Sequence, residues 1–177
     1  ERGVIVLAGP RARDVLRSLT DASLESAEFP WRSAQEIDIA GVATLALRIN
    51  YVGELGWELH PAMADLPSLY AAIWAAGEAH GIADFGLYAL NSLRMEKAYR
   101  GWGAELTNEV TMLEADMARF FGSSKEDFVG KTATETGEAG PLRLVYFEVD
   151  AQDADVRGGE PIFLNDTCIG VTTSGGY

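Results

Sequence analysis

The stretch AQEIDIAGVATLALRINYVGELGWELHP, residues 34–61, decides the fold class because strand patterns follow one another within it. Side chains alternate in character on both sides of Ala40 and Gly41, which predicts a β-hairpin that turns at this pair. The last segment, WELHP, predicts one more strand. A sheet is therefore expected in this part of the chain.

Helical patterns lie on both sides of this sheet. The strand-like run VIVLAG is followed by apolar side chains at helical spacing, and Pro10 suits the first turn of that helix. A longer helical pattern begins after Asp65, the expected cap, and ends before Gly81. Tyr70 and Trp74 lie on its apolar face and are predicted to be core residues. A further helix is predicted within FGLYALNSLRMEKAY.

The composition changes beyond Gly122. SSKEDFVGKTATETGEAG is polar and contains glycine, which predicts a linker. LRLVYFEV then alternates with period two, and PIFLNDTCIGVTTSG predicts a hairpin that turns at Asn165 and Asp166. Strands without a helix indicate part of a sandwich or a barrel, so the chain is predicted to be α+β with two structural parts. Cys168 is expected to be a small buried side chain.

The bulk composition narrows the classes of function. The chain has 177 residues and a formal net charge of −13, which argues against binding to nucleic acid or to an anionic membrane surface. Two histidines and one cysteine are too few for a typical metal cage, so no metal site is expected. No apolar run is long enough to span a membrane. The single cysteine suits a reducing compartment, and a cytoplasmic location is expected.

The segment NYVGELGWELH is the first candidate site. Alternation along the strand places Glu58 on the face opposite Trp57, and a carboxylate at the edge of an apolar core needs a donor. A heterocycle with adjacent N–H and NH2 groups would satisfy it through two parallel hydrogen bonds. A hairpin with exposed glutamates is the alternative, and spacing alone does not decide between the two. The P-loop, GxSxG and strand–GxGxxG patterns do not occur.

The second candidate segment is NSLRMEKAYRGWGAEL, at the end of a predicted helix. Arg94 falls in the helix among leucines and therefore needs a carboxylate or a ligand, and both remain open. Lys97 and Arg100 suit the carboxyl end of a helix electrostatically.

These segments resemble the glycine-cleavage T-protein (aminomethyltransferase) family. YVGELGWEL, residues 51–59, is similar to the family's Y-x-G-E-x-G-[aromatic]-E signature, and NSLRMEKAYRGWGAEL is similar to its DSLR-x-E segment. TMLEADM resembles TPLEAGL, DFVGK resembles DFIGK, and IGVTTSGGY resembles the IGxxTSG strand, in the same order and at similar spacing. GELGWELH with EKAYRGWGAEL looks most like the folate domains of dimethylglycine and sarcosine dehydrogenases.

The resemblance implies an α+β fold in which ferredoxin-like strand–helix lobes of the T-protein folate-binding fold precede part of a C-terminal β-barrel. Residues 1–122 would be a partial folate-binding aminomethyltransferase-type domain, and residues 123–177 would begin the barrel domain. It also implies a tetrahydrofolate site. The residues that match the family's folate contacts are Tyr51, Glu58, Arg94 and, from a folate-proximal tyrosine of the dimethylglycine oxidase type, Tyr99. In the family, the glutamate reads the N3–H and the 2-amino group of the pterin.

Three positions depart from the family pattern. Met112 stands where the family prefers proline and Asp116 where it prefers glycine, so the loop before Ala118 is expected to be reshaped. Asn91 replaces an aspartate and removes a charge that would pair with Arg94.

Other parts of the family's site are expected outside this chain. The family's catalytic aspartate belongs to an amino-terminal segment that the chain lacks, and a carboxy-terminal arginine would follow Tyr177. Both ends look cut from a longer protein, so no catalytic residue is assigned and the chain alone is expected to be inactive. FAD is expected only in a parent protein. The expected partners are folate, a small methylated amine or aminomethyl carrier, and the missing parts of the parent chain.

The sequence thus supports a tetrahydrofolate-binding, one-carbon (aminomethyl or methylene) transfer module as the first interpretation. The second interpretation is a non-catalytic folate-binding or regulatory relative that keeps the pocket without the transfer chemistry. A scaffold domain without any ligand is the third, and it predicts that Glu58→Gln changes nothing.

Overall fold

Four antiparallel strands form the sheet of the amino-terminal half in the computed structural model, which describes residues 1–122, 124–137 and 140–176. They are β1 (Ile5–Ala8), β2 (Ala34–Ile39), β3 (Val42–Leu47) and β4 (Gly56–Pro61), in the spatial order β1-β4-β3-β2. Strands β2, β3 and β4 follow one another as neighbours, and β1 pairs with the free edge of β4. Strand β4 therefore has a neighbouring strand on each edge. Alternate side chains of β4 face the same side of the sheet.

The hairpin between β2 and β3 turns where the sequence predicted. Ala40 has φ 53° and Gly41 has φ 81°, and two central residues with positive φ give a turn whose twist matches that of the strands. The Asp38 carboxylate accepts the Gly41 N–H at 2.8 Å, which fixes the turn from the strand side. The hairpin prediction is confirmed.

One face of the sheet is covered by two helices, α1 (Ala12–Arg17) and α2 (Leu66–Gly77). Helix α1 contacts both α2 and β4, so the core lies between the helices and the sheet. Each large side chain buried there contributes about 1.5–3 kcal/mol relative to its exposure. The cluster consists of Leu7, Ala12, Val15, Leu16, Leu24, Phe29, Ile37, Ile39, Ala46, Trp57, Leu59, Leu69 and Ile73.

Helix α2 begins after Asp65 as predicted, but the α-helix ends at Gly77 and a 3-10 turn over Glu78–His80 leads to Gly81. Two further details of its prediction were wrong. Asp65 makes no capping hydrogen bond through its side chain, because a 3-10 turn over Met63–Asp65 already places its backbone in the helical region. Tyr70 is 43% exposed instead of buried, and it stacks on Trp74 with ring centroids 6.0 Å apart. The tyrosine hydroxyl is directed outward because it donates to the Asp84 carboxylate at 2.9 Å. Gly81 ends the helical region with φ 73°, as predicted.

The chain divides into two compact units, Glu1–Lys97 and Ala98–Tyr177. The first unit ends with helix α3 (Leu87–Glu96), which confirms the helix predicted around SLRMEK. The boundary expected near residue 122, between a folate-binding domain and a barrel domain, stays a prediction.

The described part of the second unit contains helix α4 (Lys131–Thr136) and the hairpin of β5 (Pro161–Leu164) and β6 (Thr167–Val171). Asn165 has φ 53°, so the predicted hairpin turns at the expected pair. Helix α4 lies within the predicted linker, which is therefore not wholly irregular. The α+β class is confirmed, and the barrel stays a prediction.

Two further predictions in this unit were wrong. The alternating segment LRLVYFEV forms no strand, and Tyr146 and Phe147 are 52% and 62% exposed. A strand needs a partner for its backbone groups, and no other strand of the described residues pairs with this segment. Cys168 is exposed instead of buried, since the β5–β6 sheet has only two strands to cover it.

Candidate functional site

The loop before β4 displays Tyr51 at the surface of the first unit. The Asn50 side chain closes the loop, because its amide donates to the Glu54 carbonyl at 2.6 Å and its oxygen accepts the Val52 N–H at 3.0 Å. Val52 is only 2% exposed and anchors the loop in the protein, whereas its neighbour Tyr51 is 38% exposed. The aromatic ring that the sequence assigned to ligand binding is thus accessible on an internally bonded loop.

Two glycines of this segment have distinct structural roles. Gly53 has φ 73°, a left-handed conformation that favours glycine. Gly56 lies so close to β1 that a Cβ atom there would be 2.6 Å from the Leu7 carbonyl oxygen. The first glycine lets the loop turn, and the second lets β4 begin directly against β1.

Glu58 lies in the middle of β4, paired with Val6 on one side and Leu47 on the other. Trp57 and Leu59 are fully buried on the helix-covered face, and the Glu58 side chain projects to the other face, where it is 29% exposed. The half-buried carboxylate that the sequence predicted opposite Trp57 is present.

The partner of Glu58 among the described residues is His60, two residues further along the same face. The Glu58 Oε2 and His60 Nε2 atoms are 3.4 Å apart, yet Nε2 is buried and has no aligned hydrogen bond with a described residue. We therefore describe this contact as a close electrostatic pair and not as a formed hydrogen bond. Since one carboxylate oxygen offers two acceptor positions, Glu58 retains acceptor capacity for a planar donor pair.

Arg94 is buried in the last turn of α3, with 5% of its surface exposed. Its Nε and Nη2 atoms donate to the Asn91 side-chain oxygen at 3.0 and 2.6 Å. Asn91, which replaces the expected aspartate, therefore still accepts hydrogen bonds from Arg94, but it does so as a neutral amide. The sequence-based choice between a structural ion pair and a ligand contact remains open, and Asn91 adds a third kind of partner.

Lys97 brings the two sequence motifs together. Its Nζ atom lies 3.7 Å from Glu54 Oε1, and its aliphatic stem passes so close to Gly53 that a Cβ atom there would be 2.3 Å from Lys97 Cγ. The end of α3 thus rests on the loop that carries Tyr51. Sequence reasoning interpreted Lys97 as a helix-end cation, and it missed this contact because long-range pairing leaves no local pattern.

Tyr99, the fourth predicted ligand residue, belongs to the second unit. It is half-buried in the segment after α3 and follows Ala98, which has φ 57°. Its assignment to the ligand site stays a prediction.

Arg100 was expected to be a helix-end cation, and this interpretation was wrong. The arginine lies beyond the end of α3, and its side chain is 3% exposed. Its Nε donates to the Ala115 carbonyl at 3.0 Å and its Nη2 to Asp116 Oδ2 at 2.7 Å. Arg100 therefore orders the TMLEADM loop, which contains the residues that depart from the family pattern.

Two further buried carboxylates organise the second unit. Glu105 accepts the Gly101 N–H at 2.7 Å and the hydroxyls of Thr173 and Ser174 at 2.7 and 2.6 Å. Glu114 accepts the N–H and the hydroxyl of Thr111, and these hydrogen bonds hold the pKa of the Glu114 carboxyl below its usual value. The T-x-x-E spacing in TMLE is a capping-box pattern and was the available sequence signal for Glu114. Nothing local in the sequence indicated Glu105.

Comparisons with known proteins explain both the sequence motifs and the candidate site on the Tyr51 loop and β4. A model of the GCVT N-terminal domain family matches residues 1–125, so the chain belongs to this family. The resemblance to the T-protein family is thereby confirmed.

The relatives include whole enzymes of this family. The chain is 42% identical to the mitochondrial dimethylglycine dehydrogenase of Homo sapiens over all of its own length and 21% of the relative. It is 37% identical to the mitochondrial sarcosine dehydrogenase of Mus musculus, over 95% of this chain and 18% of the relative. For an aminomethyltransferase of Listeria innocua the identity is 40%, over 99% of this chain and 48% of the relative. The chain thus spans about a fifth of the dehydrogenases it matches.

Among solved structures, the chain is similar to a heterotetrameric sarcosine oxidase from Corynebacterium sp. U-96 in complex with pyrrole 2-carboxylate. The identity is 27% and the TM-score 0.42, over 48% of this chain and 42% of the other. In the described part of the chain, no helix has the length and apolar character needed to cross a membrane.

Proposed function

We propose that the chain is a tetrahydrofolate-binding, one-carbon transfer module of an aminomethyltransferase or of a dimethylglycine or sarcosine dehydrogenase-like enzyme. Family membership and the names of the relatives support this class. The observation that carries the proposal is the position of Glu58, a half-buried carboxylate on the open face of β4 with a single close partner among the described residues.

The residues present fit the chemistry of a pterin. Glu58 offers the planar acceptor that adjacent N–H and NH2 groups require, and such charge-assisted pairs are stronger than neutral hydrogen bonds. Tyr51 supplies an accessible aromatic ring seven residues earlier in the same segment. Arg94 supplies a buried guanidinium, two of whose N–H groups donate to the Asn91 side-chain oxygen. We assign Tyr99 to the same ligand on the basis of the family resemblance.

When bound, tetrahydrofolate would supply the acceptor for a one-carbon unit from a small methylated amine or an aminomethyl carrier. Glu58 would orient the heterocycle through paired hydrogen bonds, and Tyr51 would cover one side of it and exclude water. None of these side chains is assigned a proton transfer. In this proposal, FAD and the remaining catalytic residues belong to the longer parent protein. The compartment, cytoplasmic or other, is likewise that of the parent protein.

The first prediction tests Glu58 directly. Glu58→Gln replaces one acceptor oxygen by a donor that faces the donors of the ligand, so tetrahydrofolate binding is expected to weaken by about 1–3 kcal/mol. A calorimetric titration of the full-length protein measures the change. Glu54→Gln is the matched control, because Glu54 lies in the same segment but pairs with Lys97. Equal affinity of Glu58→Gln and wild type, or an equal loss in Glu54→Gln, would contradict the assignment.

A transfer assay separates the proposal from the non-catalytic interpretation. The full-length protein is mixed with tetrahydrofolate and either an aminomethyl carrier, or dimethylglycine or sarcosine together with a two-electron acceptor that oxidises the amine, and one-carbon-loaded folate is quantified. Binding together with product formation supports a transfer enzyme. Binding without product from any of these donors would favour a folate-binding regulatory relative.

A further inference from the structure

The face of β4 that carries Glu58 also carries His60, and no role has been assigned to this histidine. Side chains two residues apart on a strand lie on the same face, and here the two groups approach to 3.4 Å between Oε2 and Nε2. The imidazole is 22% exposed, and its Nε2 atom is fully buried. Its backbone carbonyl is held separately by Arg2 at 2.9 Å, so the side chain is not needed for that contact.

The surroundings of Nε2 determine which atom carries the proton. A carboxylate oxygen is the nearest described polar partner, and a carboxylate only accepts hydrogen bonds. An unprotonated Nε2 would place two acceptors against each other in a half-buried position, which is unfavourable. The neutral imidazole is therefore expected as the Nε2–H tautomer, with its N–H close to Glu58 Oε2 but not aligned with it as a hydrogen bond.

We propose that His60 is a positioning residue for Glu58, and this inference rests on the folate-binding function proposed above. The Nε2–H group lies 3.4 Å from Oε2 and attracts it electrostatically, which favours one orientation of the Glu58 carboxylate. The carboxylate then presents Oε1 and the second acceptor position of Oε2 to the ligand. His60 thus prepares the planar acceptor that a pterin edge requires, without itself contacting the ligand.

The second prediction uses two substitutions at His60 with opposite outcomes. His60→Phe keeps a ring but removes the N–H group, and tetrahydrofolate binding is expected to weaken about tenfold, since the attraction between the imidazole N–H and the Glu58 carboxylate is lost. His60→Gln places an amide N–H near the former Nε2 position and is expected to keep affinity within about twofold of wild type. His80→Phe is the matched control, because His80 also has a buried nitrogen without a bonded partner among the described residues.

The outcomes separate this inference from the proposed function. If His60→Phe binds tetrahydrofolate as tightly as wild type, the role of His60 is overturned and the folate site stands. The same holds if His60→Gln weakens binding as much as His60→Phe does. Absence of wild-type binding overturns both. A measurement without ligand is independent of the titration: long-range 1H–15N spectra of the imidazole are expected to show the Nε2–H tautomer of His60. An Nδ1–H tautomer would also overturn the inference.

Discussion

Asp116 shows how a residue that departs from the family pattern is accommodated in this chain. Asp116 stands where the family prefers glycine and has φ 53°. Aspartate is among the few side chains that tolerate this conformation, and here its carboxylate also pairs with the buried Arg100 at 2.7 Å. The departure is therefore accompanied by an ion pair that glycine could not form, and the reshaping of the loop stays a prediction.

The third prediction compares two glycines of similar conformation and different surroundings. Gly41 has φ 81°, and a Cβ atom built there would have no neighbouring atom. Gly53 has φ 73°, and a Cβ atom built there would lie 2.3 Å from Lys97 Cγ. Gly41→Ala is expected to cost about 1–2 kcal/mol from backbone conformation alone. Gly53→Ala is expected to cost more, because the methyl group displaces Lys97. Urea denaturation measures both free energies of unfolding.

A second background identifies the cause of the excess. In a Lys97→Ala protein, the difference between the two glycine substitutions is expected to shrink, since the displaced stem is no longer there. An equal cost of both substitutions in the wild-type background would show that Lys97 does not constrain the loop.

At the scale of elements, the β5–β6 hairpin depends on one carboxylate. The Thr172 hydroxyl donates to Glu160 Oε2, and the N–H groups of Arg157 and Gly158 donate to the two carboxylate oxygens at 3.0 and 2.9 Å. These bonds, with that of Thr172 first, lower the pKa of Glu160 from 4.5 to about 2. A carboxyl whose pKa is lowered on folding stabilises the folded state above its ordinary pKa, and the stabilisation is lost as pH falls.

The fourth prediction follows from that sign. The stabilisation from Glu160 is present above about pH 4.5 and is expected to disappear between about pH 4.5 and pH 2. Glu160→Gln is expected to remove this part of the acid dependence, and Thr172→Val is expected to move the Glu160 pKa back toward 4.5. NMR titration of the carboxyl carbon and acid unfolding followed by circular dichroism test both. A carboxyl that titrates at 4.5 in the wild-type protein would contradict the prediction.

Elements with local signals were predictable, and those that depend on distant partners were not. The hairpins each contain a turn residue that tolerates positive φ, Gly41 in the first and Asn165 in the second, and helix α2 has period and length in its favour. LRLVYFEV has a strand pattern but no partner strand among the described residues, so pattern alone gave a wrong element. The position of Glu58 followed from alternation, whereas His60, Asn91 and Lys97 gain their roles from contacts that spacing does not reveal.

At the scale of the whole molecule, the two units bury different kinds of side chain. The apolar core cluster lies entirely in Glu1–Lys97, and Ala115 is the one buried apolar residue that the described part of the second unit contains. The buried polar residues of that unit are Arg100, Glu105 and Glu114. Hydrogen bonds and ion pairs of this kind contribute little net stability compared with apolar burial of similar extent.

The fifth prediction follows from this asymmetry. Amide hydrogen exchange of the 177-residue chain is expected to be slowest in β3, β4 and α2 and markedly faster in the described residues after Lys97, because local opening there exposes little apolar surface. Mass spectrometry of peptic fragments measures the two rates. Equal protection of both units would show that the polar network is as stabilising as the core.

The exposed position of Cys168 has a practical consequence. It is the single thiol in the sequence and lies on β6, so one maleimide dye attaches at one known place without any engineering of the chain. The dye would report on the hairpin that Glu160 and Thr172 hold closed, and its emission would follow hairpin opening in acid separately from the melting of the amino-terminal core. Cys168, which sequence reasoning placed in the interior, can thus carry a spectroscopic probe for the less apolar half of the molecule.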